Sequence, residues 1–294
     1  MKKCLLPLLV SLLYLSVTIA GHAQSGLSLY LVGKGQFYSQ TNSTTPVLQT
    51  DGPYRFSAFV NDDPSDVTSA TIKPPGKSAL TLTNDSGQVD VEDRFTTKAL
   101  LDAAYPSGTY TFNIGTVNEG SNSVSLSLTN DAYPVTIPQL IGVEAASLMD
   151  VTKQYAFAWY PLTNGTSKDF VLFELTDQTD SNTLLSSGNP GDTSVNVATN
   201  VAAIVPANTL TAGTTYKVKL IFAHATAVNT NAFAKVPGEA VYYKQTSFYF
   251  TPQGVAPSCT PQPSGLVSWW PCEDVGASDL IGGNGGLVNN MAAK

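Results

Sequence analysis

Apolar and polar residues alternate with a period of two from Leu27 onward, in short runs rich in Thr, Val, Tyr and Phe. Turn-forming residues separate the runs at intervals of about 8–12 residues, which is typical of an antiparallel sandwich or barrel and not of βαβ units. Only Thr97–Ala104 is predicted to form a helix, of one or two turns. The pattern therefore predicts an all-β fold class. The clearest runs are Ser69–Ile72, Leu80–Thr83, Tyr110–Ile114, Val124–Leu128, Tyr155–Trp159, Phe170–Leu175, Tyr216–Phe222 and Ser247–Phe250.

Two parts of the chain share landmarks, which indicates two related sandwiches. Tyr54–Phe59 is similar to Tyr155–Tyr160, and each is followed by a Gly-Thr segment that ends in tyrosine, Gly108–Tyr110 and Gly213–Tyr216. We expect the boundary near Ile137–Leu140, where a proline closes the last strand of the first unit. The predicted units are consecutive antiparallel β-sandwiches over residues 24–138 and 139–251.

The second unit contains a recognisable corner. Leu210–Val218 resembles the tyrosine-corner segment of fibronectin type III domains, in which a tyrosine at the start of a late strand bonds its hydroxyl to the upstream backbone. Trp159 matches the buried tryptophan that such domains place on an early strand. The resemblance covers Pro138–Thr251 and implies a module for spacing or binding, since this fold hosts many functions. The first unit has Phe59 where a tryptophan would be expected, so it is described only as immunoglobulin-like.

The C-terminal part of the sequence changes character after the second unit. Residues 252–264 are rich in proline, which favours extended polyproline II structure and predicts a semi-rigid linker. Gly265–Trp270 and Asp279–Asn289 resemble the opening strand and loop of laminin-G-like (concanavalin A-like) jelly-roll domains of secreted bacterial proteins. The 30 residues 265–294 are too few to bury a core of their own, so we expect a truncated start of that domain. No sugar or calcium ligand of the family is carried over onto them.

The N-terminus has the pattern of an export signal. Lys2 and Lys3 precede an apolar run, Leu5–Ile19, and the small residues of Gly21–Ala23 follow it. This predicts a secretory signal peptide over residues 1–23, with a short membrane anchor as the alternative, because the run is short for a span of about 20 residues. We expect an extracellular or cell-surface protein with no membrane span in the mature chain.

Composition and charge exclude several functions. The formal net charge is −7, with 15 Lys and Arg against 22 Asp and Glu, and no basic stripe that could bind nucleic acid by counterion release. His224 is the one histidine left after signal cleavage, placed by the pattern at a strand end. Most nucleophile–base pairs and His-rich zinc sites would lack a member. The sequence therefore predicts a protein that is not an enzyme and nominates no catalytic, cofactor-binding or metal-ligating residue.

Two weaker patterns leave alternatives open. Asp62, Asp63 and Asp66 lie in one turn and could bind calcium, or could simply supply turn chemistry. Cys259 and Cys272 could form a disulfide in an oxidising compartment, stay as free thiols, or pair with a cysteine elsewhere.

Two surface patterns have ordinary interpretations beside functional ones. Alternation directs Phe248 and Phe250 to the core and Tyr249 outward, where its ring could stack on a sugar or belong to an ordinary strand face. Asp90 and Glu92 share one face as solvated charge, and nothing near them marks the pair of carboxyl groups that glycoside hydrolysis needs.

The leading hypothesis is a secreted, non-catalytic multidomain protein. Its sandwiches would act as spacer or interaction modules for a C-terminal module that binds an extracellular carbohydrate or protein. The alternative is an accessory region of a secreted hydrolase whose catalytic domain lies beyond the C-terminus.

Overall fold

The computed structural model describes residues 27–62, 66–85, 88–187, 201–233 and 236–254. Helical structure there comprises α1 (Lys98–Ala104) and a 3₁₀ helix (Val143–Leu148). The strands in chain order are β1 (Leu27–Gln40), β2 (Val47–Leu48), β3 (Tyr54–Asp62), β4 (Val67–Lys73), β5 (Leu80–Thr81), β6 (Thr83–Asp85), β7 (Gln88–Phe95), β8 (Gly108–Thr116), β9 (Gly120–Leu128), β10 (Leu140–Ile141), β11 (Tyr155–Trp159), β12 (Asp169–Asp177), β13 (Thr183–Ser186), β14 (Ala202–Val205), β15 (Tyr216–Phe233) and β16 (Val236–Phe250). The all-β fold class is confirmed, as is the short helix after Thr97.

Nine of the sixteen described strands form one large sheet, which we call the central sheet. Its strand order is β13-β12-β15-β16-β1-β3-β7-β6, with β2 added beside β1. β1 and β16 pair in parallel at its centre, in a register that places Tyr30 opposite Gly238 and Gln40 opposite Phe248. The other strand pairs of the sheet are antiparallel. The first and last strands of the described chain are therefore neighbours.

Two smaller sheets cover the central sheet side by side. The first covering sheet has the order β5-β4-β8-β9, and the second has the order β10-β11-β14. Tyr30 meets Phe112 of the first with ring centroids 5.8 Å apart, and Phe250 meets Phe157 of the second at 5.3 Å. Successive side chains of a strand point to opposite faces, and residues of even number in β16 share a face with Tyr30 through the register. Both covering sheets therefore lie on the same face.

This arrangement confirms antiparallel sandwich architecture and corrects the picture of two self-contained units. Phe248 and Phe250 of β16 belong to the buried cluster that contains Phe173 of the second sandwich. Ala240 and Tyr242 of the same strand belong to the buried cluster of the first sandwich. β16 thus packs into both cores, and the first sandwich takes strands from both sides of residue 138.

The segment between the two sandwiches, residues 135–140, is held by polar side chains of the central sheet. The side-chain amide of Gln40 donates to the carbonyl of Leu140 at 2.8 Å and accepts from its N–H at 2.9 Å. Thr246 Oγ1 donates to the carbonyl of Pro138 at 2.6 Å, and Lys244 Nζ donates to that of Val135 at 3.0 Å. We call this segment the link. Its backbone is bonded to β1 or β16 at Val135, Pro138 and Leu140.

The tyrosine corner expected in the second unit is present. Thr211 N donates to the hydroxyl of Tyr216 at 2.9 Å, and Trp159 is buried, stacked on Phe173 at 5.7 Å. The first unit has an equivalent at the tyrosine of the matching Gly-Thr segment, since the hydroxyl of Tyr110 donates to the carbonyl of Pro106 at 2.8 Å. Each corner fixes the start of a long strand against the loop before it.

Candidate binding groove

A groove of about 450 Å³ crosses the face of the central sheet opposite to the two covering sheets. Side chains of six adjacent strands, from β13 to β3, line it, because alternate residues of a strand and their partners on the neighbouring strands point to the same face. Leu31, Phe59, Leu172, Ile221 and Val241 form its apolar floor. The groove runs diagonally from the β12–β13 end of the sheet to β3, across both sandwiches.

Tyr243 forms a ridge beside the floor. A Cβ atom at Gly35 would lie 2.4 Å from the tyrosine ring, so only glycine leaves room for that ring over β1. Beyond β1, the hydroxyl of Tyr243 lies 3.3 Å from Ser57 Oγ of β3, within hydrogen-bond distance. Burial raises the pKa of Tyr243 to about 12, so its hydroxyl stays protonated at physiological pH. The ridge is therefore a neutral, hydrogen-bonding aromatic side chain.

The other end of the groove is charged. Lys219 Nζ lies 2.6 Å from Glu174 Oε2 and 3.6 Å from Asp180 Oδ1, and Lys217 Nζ lies 2.5 Å from Asp180 Oδ2. Burial raises the pKa of Asp180, but the hydrogen bond from Lys217 and the charge of Lys219 outweigh it and lower that pKa. Burial lowers the pKa of Lys219, but its acidic neighbours raise it overall. Asp180 and Lys219 therefore stay ionised at neutral pH.

This chemistry suits binding better than acid catalysis. A glycosidase needs one carboxyl group whose raised pKa keeps it protonated beside a second, ionised one. Glu174 and Asp180 are both paired with lysine, and the pKa of Asp180 is lowered and not raised. The groove thus offers an apolar floor, one aromatic ridge and a charge-paired end, which are features of a recognition surface.

A buried carboxyl group beside the groove was not found by sequence reasoning. Glu239 is 2% exposed and lies between Leu31 of β1 and Val228 of β15 in the strand register. Its Oε2 has no hydrogen-bond partner among the described residues. Burial raises the pKa of Glu239 to about 7. The signal was a single acidic residue within the otherwise apolar or small run that begins β16 (Val236–Tyr242).

His224 lies in the middle of β15 and not at a strand end, as the sequence pattern had placed it. Its Nδ1 is 2.8 Å from Asp169 Oδ1, and both residues line a pocket of about 240 Å³ beside the link, which we call the junction pocket. Thr166 Oγ1 donates to the other oxygen of Asp169, and Thr163 Oγ1 lies 2.6 Å from Thr136 Oγ1. The threonine hydroxyls that line the described pocket thus already have partners. Tyr133 also lines the pocket, and its buried hydroxyl has no hydrogen-bond partner among the described residues.

The predicted calcium loop lies partly outside the described residues. Asp63 is not described, nor is the side chain of Asp62. Asp66 is buried, and its Oδ1 accepts a hydrogen bond from Asn118 Nδ2 at 2.9 Å. Within the part of the chain that the structure describes, no group of three or more His, Cys, Asp or Glu side chains could hold a metal ion.

The aromatic strand end follows the sequence expectation. Phe248 and Phe250 are buried and stack with ring centroids 5.9 Å apart, and Tyr249 is 51% exposed on the opposite face. Lys217 Nζ lies 5.6 Å from the centroid of the Tyr249 ring, so a lysine already occupies that surface.

Glu92, which the alternation places on a solvated face, is exposed, and its carboxylate lies 3.3 Å from the guanidinium of Arg55.

Several predicted features lie outside the described residues. They are the signal peptide (1–23), the linker beyond Gly254, Cys259, Cys272 and the laminin-G-like segment (265–294). No helix of the described ranges is both long and apolar enough to cross a bilayer.

Comparison with known proteins finds weak structural likeness. No protein-family model matches the chain, and no curated protein matches it. Among solved structures, it is similar to the FN1–FN3 domains of chicken CNTN1, at 10% identity and a TM-score of 0.20, over 76% of this chain and 66% of that one. It is also similar to trypsin-activated alpha-2-macroglobulin from Escherichia coli, at 8% identity and a TM-score of 0.18, over 76% of this chain and 16% of that one. This chain spans less than two thirds of either. The sandwich architecture and both tyrosine corners are established by its own geometry.

Proposed function

We propose that this protein is an exported, non-catalytic spacer whose two joined sandwiches hold a C-terminal module that binds an extracellular carbohydrate or protein. The observation that carries the proposal is the parallel pairing of β1 and β16. Parallel neighbours enter a sheet at one end and leave it at the other. β16 has 15 residues, so entry and exit are separated by about 50 Å at about 3.3 Å per residue.

A spacer must also be stiff, and the central sheet, which both sandwiches share, makes it stiff. β16 contributes to both cores, because Tyr242 belongs to the buried cluster of the first sandwich and Phe248 to that of the second. Because one strand contributes to both cores, the sandwiches should unfold as a single cooperative unit.

Denaturant unfolding of Phe248→Ala and Val32→Ala tests this stiffness. Each variant should lower the unfolding free energy of one common transition, by about 3–5 kcal/mol for the phenylalanine and less for the valine. Circular dichroism and tyrosine fluorescence should report the same midpoint. Two separate transitions, each shifted by only one variant, would show independent sandwiches and remove the basis for a stiff spacer.

The assignment of binding to the C-terminal module needs a second experiment. The full-length gene product and residues 24–254 are compared on a glycan array and in pull-downs from extracellular protein fractions. Binding that requires the part of the protein after residue 254 supports the spacer role, and equal binding by residues 24–254 would place recognition in the sandwiches themselves. Mass spectrometry of the exported protein should find Gln24 at the new N-terminus, as expected for cleavage after Ala23.

A further inference from the structure

The two covering sheets differ in the chemistry of their outward faces. The first presents hydroxyl groups, with Thr109 Oγ1 3.1 Å from Ser127 Oγ and Thr111 Oγ1 3.2 Å from Ser125 Oγ. This is the polar surface that a solvated sheet face normally has. The outward positions of the second covering sheet carry no charged side chain in the described strands. The residues at these outward positions are Ile141 of β10, Ala156 and Ala158 of β11, Tyr160 just after the end of β11, and Ala202 and Ile204 of β14.

These six residues form one continuous surface, which we call the apolar patch. In the register, Ala158 lies between Ile141 and Ala202, and Ala156 lies opposite Ile204. Ile141 is 43% exposed and Ile204 is 57% exposed. Contiguous exposed apolar surface on a sheet marks a place where another group binds.

The shape of the patch selects a flat, bulky group. The three alanines give a shallow floor across β11 and β14, with Ile141 on one side of it and Ile204 on the other. Six side chains, three of them alanine, cover much less than the roughly 800 Å² per partner of a stable protein complex. The patch therefore fits a short aromatic segment better than a second folded domain or a second copy of this chain.

Gly254, the last residue that the structure describes, lies next to this patch, and we call it the exit point. Gln253 N donates to the carbonyl of Ser147 at 3.0 Å, and a Cβ atom at Gly254 would lie 2.2 Å from Ala212. Val151, also beside Gly254, accepts a hydrogen bond from Asn208 N, in the loop that directly follows β14. The exit point is thus within a few residues of Ile204, at the end of the second covering sheet.

We propose that the apolar patch is the docking site of the chain's own segment Gly265–Trp270. Ten residues, 255–264, separate the exit point from this segment and reach about 31 Å when extended as polyproline II. A β-strand of five residues such as β11 is about 16 Å long, so the segment can reach the whole patch. Trp269 and Trp270 supply flat rings, and alternation directs one of them onto the alanine floor. The tether gives the segment a local concentration in the millimolar range, so modest contacts suffice.

Hydrogen exchange of the full chain, read by mass spectrometry on peptides that cover residues 265–271, tests the docking. The parent protein is compared with Ala158→Arg, which places a charge at the centre of the patch, and with Ser125→Arg, a matched control on the outward face of the first covering sheet. We expect amides of the segment to exchange at least about tenfold faster in Ala158→Arg than in the parent, and unchanged in Ser125→Arg. Ala202→Arg should repeat the effect, which keeps the test valid if Ala158→Arg does not fold.

Three results would overturn the proposal. The first is absence of protection in the parent protein. The second is protection that survives both patch substitutions, which would mean that the segment folds elsewhere. The third is protection that depends on protein concentration, which would make a second copy the occupant. None of these results bears on the spacer function, which is tested by cooperative unfolding and by ligand binding.

Discussion

Replacing the buried Glu239 with glutamine should change stability in a way that depends strongly on pH. Burial raises the pKa of this carboxyl from an ordinary value of 4.5 to about 7. A raised pKa in the folded state means that the folded protein holds the proton more tightly than the unfolded chain. The contribution of Glu239 to the free energy of unfolding is therefore complete below pH 4.5 and is lost as the pH rises through about 7.

The size of the effect follows from the pKa difference. A difference of about 2.5 units, at about 1.4 kcal/mol for each, is about 3 kcal/mol of unfolding free energy lost between acid and mildly alkaline pH. Glu239→Gln keeps the shape of the protonated side chain and cannot ionise. The variant should match the wild type near pH 4 and exceed its stability by up to about 3 kcal/mol at pH 8.

Urea unfolding at several pH values between 4 and 8 measures this difference directly. Glu144→Gln is the control, because hydrogen bonds from Ser43 lower the pKa of the exposed Glu144. A lowered pKa has the opposite sign, so the stability that Glu144 contributes is present above its ordinary pKa of 4.5 and lost as the pH falls through the lowered value. A difference between wild type and Glu239→Gln that is the same at pH 4 and pH 8 would refute the reasoning.

Three other substitutions test the packing of the central sheet and of the segments attached to it. Gly238→Ala should cost about 3 kcal/mol or more in thermal or urea unfolding, because the new Cβ would lie 2.0 Å from the ring of the fully buried Tyr30. An unchanged stability would contradict the β1–β16 register. Tyr216→Phe should cost about 1 kcal/mol by loss of the bond from Thr211 N, and no loss would mean that the corner is unimportant for stability. Gln40→Ala removes two bonds from the backbone of the link and should cost about 2 kcal/mol or more, which differential scanning calorimetry would detect as a lower Tm.

Local pattern was enough to predict the elements whose structure depends on neighbouring residues. Thr97 caps α1 by accepting from Leu100 N at 3.3 Å, as a threonine before a helix is expected to do. Tyr216 forms its corner with a loop only five residues away, and Tyr249 points outward by simple alternation. Each of these depends on a short stretch of chain that contains its own turn and alternation signals.

The central sheet could not be predicted in the same way, because its two middle strands, β1 and β16, are about 200 residues apart in sequence. One signal was present nonetheless. Leu29–Val32 is a continuous apolar run, and such runs are typical of strands buried on both faces. Lys34, which follows it, obscured that signal: the lysine is fully buried and is neutralised by Asp102 of α1 at 2.7 Å, a partner that only tertiary structure supplies. His224 was misplaced for a related reason, since β15 continues through small residues that pair with β16.

The candidate groove was even less accessible to sequence reasoning. Its floor is built from alternate residues of five strands, and each of these residues looks like ordinary core in its own strand. Only the strand order places Leu31 beside Val241 and Ile221 on one face. The two glycines of β1, which leave space for the Tyr243 ring, become meaningful only after β16 is known to be the neighbour.

The orientation of the two sandwiches is fixed by the sheet and not by the link. Bending the molecule between them would have to break the pairing of β1 with β16, which extends over eleven residue pairs from Tyr30 to Gln40. A backbone hydrogen bond contributes about 1 kcal/mol, so loss of half of that ladder would cost about 5 kcal/mol, which is comparable to the whole stability of a marginally stable domain. The link can therefore be short and irregular without acting as a hinge.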